Sequence, residues 1–163
     1  MEFHLAQANI AQGIASVTDP LMKGFVDQLD YINSVADRSP GFVWRLQTEE
    51  GDATSLQPFD DPLILVNMSV WESIDAFYDY VFRSDHAGPL KDRRRWFSKL
   101  DGPHAVMWWI RAGTTPDVAD LKRRLDLLEK NGPAPEAFTL AKAFDPEGRP
   151  LERAARRDRE CGV

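Results

Sequence analysis

The chain has 163 residues, 43% of them hydrophobic and 28% charged, with a formal net charge of -6. That length suits one domain with a sizeable core, and an acidic chain without a basic, aromatic-studded stripe argues against nucleic acid as partner. The one cysteine, Cys161, excludes an internal disulfide and a cysteine-rich metal site. Residues Met1 to Gln12 lack a basic n-region and a long apolar run, so no signal peptide is expected. No stretch approaches the ~18 consecutive apolar residues of a membrane span. The expected compartment is the cytoplasm, with no membrane partner.

Phe3 to Ile10 predicts a first strand. Asp19-Pro20 is a helix start, with Asp19 as N-cap and proline in the first turn. Leu21, Phe25, Leu29, Ile32 and Val35 then recur at helical spacing until Ser39-Pro40-Gly41. Phe42 to Gln47 and Leu63 to Trp71 alternate as strands, and Ser73 opens a helix with Ile74, Phe77, Tyr78, Val81 and Phe82 on one stripe. Leu90 to Leu100 predicts a charged helical piece, and His104 to Arg111 a tryptophan-rich strand. Pro116 opens a further helix carrying Val118, Leu121, Leu125 and Leu128, which Asn131-Gly132-Pro133 closes. Phe138 to Phe144 predicts a short closing strand. From Asp145 the composition turns to Arg, Glu, Ala, Pro and Gly, so residues 1–144 are expected as the domain and 145–163 as a mobile tail.

The order β-α-β-β-α-β predicts an α+β fold: a ferredoxin-like split βαβ antiparallel sheet with helices on one face. Strand parity divides the sheet. One face carries Ala6, Ala8, Ile10, Phe42, Trp44, Leu46, Ile64, Val66, Met68, Val70, Val106, Trp108 and Ile110, and is expected to meet the helices. The other mixes polar and aromatic groups: Gln7, Asn9, Arg45, Asn67, Ser69, Trp71, Trp109 and Arg111. A second copy of the chain is the expected cover for that mixed face, giving a homodimer. A small-molecule pocket has the same character, an apolar wall with a few convergent polar groups.

Ser39-Pro40-Gly41-Phe42-Val43-Trp44-Arg45-Leu46, Val66-Asn67-Met68-Ser69-Val70-Trp71-Glu72-Ser73 and Arg93-Arg94-Arg95-Trp96-Phe97 resemble a bacterial family known as domain of unknown function 3291. Trp108-Trp109-Ile110 with Ala112-Gly113, and the Gly132-Pro133 to Ala137-Phe138 ending, carry the same resemblance. The resemblance implies the dimeric α/β-barrel superfamily, which includes antibiotic-biosynthesis monooxygenases and haem-degrading enzymes. The expected function is therefore cofactor-independent, monooxygenase-like oxidation of a small aromatic compound. The alternatives are a non-catalytic small-ligand-binding or scaffold protein, and a haem-binding enzyme.

Within the first of these, Trp71 and Trp109 stack the substrate ring, while Asn67 and Arg45 or Arg111 hold the developing oxyanion. His86, after the second helix, is the candidate base because imidazole titrates near neutrality. Gln7, Asn9 and Ser69 complete the binding wall. For haem, the nearest counterparts of the relatives' Asn, aromatic and His are Asn9, Tyr80 and His86. The three histidines show no metal-ligand spacing, so no metal is expected.

Overall fold

The computed structural model describes residues 1–47, 54, 56–83 and 95–152. Strand β1 (Phe3–Gly13) runs through the middle of the sheet. Asp19 accepts from the Leu21 amide as expected and caps a single 3-10 turn, Pro20–Met22, which leads into α1 (Lys23–Asp37). Then follow β2 (Phe42–Arg45), β3 (Ile64–Trp71), α2 (Ile74–Arg83), β4 (Phe97–Ser98) and β5 (Ala105–Arg111). Asp117 and Asp120 form a reciprocal capping box that starts α3 (Val118–Asn131). A hairpin of β6 (Ala143–Phe144) and β7 (Pro150–Leu151) closes the described chain.

The main sheet is five-stranded and antiparallel, in the order β2-β3-β1. Both β4 and β5 pair with β1, at Gln12–Gly13 and at Phe3–Asn9 respectively. This is the expected split βαβ order, and the fold is ferredoxin-like. The register sets Leu5 between Trp71 and Trp109, Gln7 between Ser69 and Met107, and Asn9 beside Asn67. Directly paired residues share a face, so the two parities of β1, β3 and β5 stay separate across the sheet.

The helices cover these faces in the reverse of the expected sense. Both helices of the split unit lie on the mixed face. There Leu5, Trp71 and Met107 pack with Ala36 of α1, with Ile74, Phe77 and Tyr80 of α2, and with Phe138, Ala143 and Leu151. The apolar face, Ala6, Ala8, Val66, Met68, Val106 and Trp108, packs instead against Leu121, Leu125 and Leu128 of α3. Parity sorts side chains into two sets. It does not say which helix covers which set, and Leu5, Trp71, Met107 and Trp109 make the mixed face apolar enough to be core. With α3 on one side and α1 and α2 on the other, the sheet does not need a second chain to cover it.

Three smaller expectations also change. A bulge between Phe42 and Trp44 moves Phe42 to the mixed face, where its ring meets Trp71 edge-on at 5.4 Å. Within the expected helical piece Leu90–Leu100, residues 90–94 lie outside the described residues, while Phe97–Ser98 is strand because it extends the sheet beside Gln12 and Gly13. Residues Asp145 to Leu151, expected in a mobile tail, form the turn and second strand of the hairpin. Asp145 holds that turn through the Arg149 amide and guanidinium, both at 2.8 Å. Gly41 adopts φ +82, and a Cβ there would stand 2.5 Å from the Ala76 Cβ, so only glycine lets this turn pass so close to α2.

Candidate functional site

The mixed face carries a connected polar row. Gln7 Nε2 donates to Ser69 Oγ at 2.6 Å and to Asn67 Oδ1 at 3.0 Å, and Trp71 Nε1 donates to the same Ser69 Oγ at 2.8 Å. Both acceptor positions of the serine hydroxyl are filled, which leaves its hydrogen to donate. Gln7 and Ser69 are buried, whereas Asn67 is exposed and ends the row toward solvent. Beside it, Asn9 Oδ1 is buried without a hydrogen-bond partner among the described residues. Gln7, Asn9, Asn67 and Ser69 are therefore brought together as expected from their parity.

The two tryptophans are not available as stacking walls. Trp71 is 0% exposed. Tyr80 stacks on its ring at 4.9 Å, and Phe42 and Phe77 close its other sides. Trp109 donates its indole N–H to the Phe144 carbonyl at 2.8 Å and packs under the closing segment. Those contacts are made by helix α2 and by the 138–151 segment, which parity alone could not place. Arg45 points back toward the end of α1, where its Nε meets Asp37 Oδ1 at 2.8 Å. Arg111 is exposed at the far end of β5, paired with Phe3. His86 lies outside the described residues.

Burial beneath α2 pushes the Tyr80 phenol far above its usual range, an effect that Arg45 opposes and Asp37 reinforces. Tyr80 is thus a neutral phenol in the aromatic cluster, not a phenolate. Tyr80 is spent on Trp71, whose neighbour Leu5 lies four residues from Asn9 along β1, about 13 Å at strand rise. Among the described residues no group of three or more His, Cys, Asp or Glu could hold a metal. No helix among them is long and apolar enough to cross a membrane.

One further residue was not singled out by sequence. Gln28, in α1, also buries its amide oxygen without a partner among the described residues. The signal was a polar residue one turn after Phe25 and one before Ile32, just off the apolar stripe. Two hollows, of about 550 and 750 Å³, open elsewhere. The first lies at Phe59, Lys122 and Asp126, and the second at Phe97, Leu100 and His104. Both reach Ile10, and neither touches the polar row.

Comparison with solved structures finds distant likenesses. A mutant of SnoaB, a cofactor-independent oxygenase from Streptomyces nogalater, is 17% identical with a TM-score of 0.45, over 70% of this chain and 98% of that one. A putative antibiotic biosynthesis monooxygenase from Nitrosomonas europaea is 15% identical at TM-score 0.48, over 70% and 95%. A monooxygenase from the gene ActVA-Orf6 of Streptomyces coelicolor, in complex with nanaomycin D, is 19% identical at 0.42, over 71% and 93%. No curated protein matches. The family profile described as "Domain of unknown function (DUF3291)" matches residues 4–154, so it takes in the hairpin as well as the sheet and helices. The chain belongs to that family.

Proposed function

We propose that the mixed face between β1, β3 and α1 receives a small aromatic compound, which the chain oxidises with molecular oxygen and no added cofactor. The observation that carries this reading is the row Asn67–Gln7–Ser69–Trp71 with the buried Asn9 oxygen beside it, unpartnered among the described residues. A buried acceptor left unmatched costs about 1–3 kcal/mol, a cost that a ligand hydroxyl at this position offsets. Gln7 spends both amide hydrogens on Ser69 and Asn67, so the Asn67 N–H groups at the solvent end of the row stabilise the oxyanion that forms when an activated phenol or methylene loses its proton.

The chemistry needs no external electrons. The substrate carbanion adds oxygen to form a C–O bond, and the hydroperoxide then expels water to leave a carbonyl. Overall, R2CH2 and O2 become R2CO and H2O. His86 is the proposed base for the first step. Arg45, bound to Asp37, is assigned no contact with substrate. The homodimer and the cytoplasmic location remain part of this proposal, with the dimer contact placed away from the sheet faces.

A non-catalytic binding protein is the second reading. It is favoured by the pairing of Arg45 with Asp37 and of Trp71 with Tyr80, which leaves neither pair to work on a substrate. Anthrone, whose methylene lies between two rings, separates the two in an oxygen electrode. One O2 consumed per anthraquinone formed, slowed at least tenfold by Asn67→Ala, supports the oxygenase. Anthrone that binds without oxygen uptake supports the binder, and uptake unchanged in Asn67→Ala contradicts the site.

A further inference from the structure

Four buried side-chain polar atoms lack a hydrogen-bond partner among the described residues. Two of them, on His4 and Arg124, belong to the far side of the sheet: His4 shares the parity of Ala6, and Arg124 lies over the Trp108 ring. The other two are both amide oxygens, Asn9 Oδ1 and Gln28 Oε1. Asn9 stands on the mixed face beside Asn67. Gln28 belongs to the helix that crosses this face. At one end of α1, Phe25 meets Phe97 edge-on at 5.0 Å, and at the other Ala36 joins the Trp71 cluster. Gln28, Leu29 and Ile32 lie between those anchors along α1, as Asn9 and Asn67 lie on the sheet between Gly13, which pairs with Phe97, and Leu5, which pairs with Trp71.

We propose that Asn9 and Gln28 form a paired acceptor subsite, one from the sheet and one from the helix, for a neutral aromatic ligand bearing two hydroxyl donors. The inference rests on the site proposed above and names the chemistry of its ligand. Two carbonyl-type oxygens without donors call for two O–H or N–H groups on the ligand. The charged pair that borders this face, Arg45 and Asp37, is closed on itself at 2.8 Å and offers an anion no counter-charge. Leu29 and Ile32 neighbour Gln28 on the helix and Leu65 lies two residues from Asn67 on the same face of β3, apolar neighbours of the kind that suit a flat ring.

Equilibrium binding under argon tests this without turnover. The probes are 1,5-dihydroxynaphthalene, its dimethyl ether and 2-naphthoate, titrated calorimetrically into the full chain. The diol is expected to bind at least tenfold more tightly than the ether or the carboxylate. Asn9→Leu and Gln28→Leu are each expected to weaken the diol at least tenfold and to leave the ether unchanged. Because each variant removes an unmatched buried oxygen, the melting temperature of the free protein is expected to hold or rise. No diol binding, equal binding of the ether, tighter naphthoate, or unchanged diol affinity in both variants overturns the subsite. A drop of several degrees in the melting temperature of both free variants also overturns it, since the amides are then satisfied without ligand. Diol binding that depends on both amides, with no oxygen uptake from anthrone in air, keeps the subsite and removes only the oxygenase reading.

Discussion

Trp71 and Ser69, two residues apart on the same strand, are tied by an indole N–H that donates to the serine oxygen at 2.8 Å. Because Gln7 Nε2 donates to that oxygen too, at 2.6 Å, one hydroxyl fixes both the aromatic cluster beneath α2 and the amide that orients Asn67. Ser69→Ala leaves two buried donors unmatched. The expected loss is about 2–6 kcal/mol in urea unfolding, from ~1–3 for each orphaned group. A loss below about 0.5 kcal/mol, the scale of a neutral surface change, contradicts this role.

Tyr80 makes stability depend on alkaline pH. Its folded-state pKa is raised by burial, so the stability it adds is complete below the unfolded value, near 10, and is lost as pH climbs above it. Thermal melts between pH 8 and 11 are expected to fall more steeply for the wild type than for Tyr80→Phe. Parallel curves would show that the phenol titrates as freely as in the unfolded chain.

The cover on the apolar face can be tested through Leu121, which is 0% exposed and packs among Ala6, Ala8 and Trp108. Leu121→Ala is expected to cost about 2–5 kcal/mol, the usual range for a leucine cavity. A near-neutral result would mean that α3 is not what covers this face.

Much of this architecture was legible beforehand because strand alternation and helix punctuation are local. Asp19-Pro20, the alternation of Ile64 to Trp71 and the closure at Gly132 all depend on neighbours within a few residues. The row Gln7, Asn9, Asn67 and Ser69 followed from parity for the same reason. What could not be read is long-range. The bulge at Val43 shifts Phe42 to the other face, and the choice between α1, α2 and α3 as cover is settled by chain reversals that leave no local mark. Trp71 and Trp109 look like ligand walls in one dimension because the residues that bury them, Tyr80 and Phe144, lie 9 and 35 positions away.

The hairpin carries a further consequence. Leu151 is half-buried against the cluster that contains Phe138 and Ala143, and β6 pairs with β7 at Ala143–Leu151 and Phe144–Pro150. Removing everything after Phe144 is expected to lower stability by about 1–3 kcal/mol, the order of one buried aliphatic side chain. Leu151→Ala in the full chain should reproduce part of that loss. A truncated chain that unfolds at the same urea concentration would show that the hairpin adds nothing.

The most direct measurement is a crystal structure of the chain with 1,5-dihydroxynaphthalene bound. The ring is expected between α1 and the mixed face of β1 and β3, with one hydroxyl on Asn9 Oδ1, the other on Gln28 Oε1, and Asn67 at the edge. A ring seated in the hollow beside Phe97, Leu100 and His104, with Asn9 and Gln28 still unpartnered, would contradict the site and the function built on it.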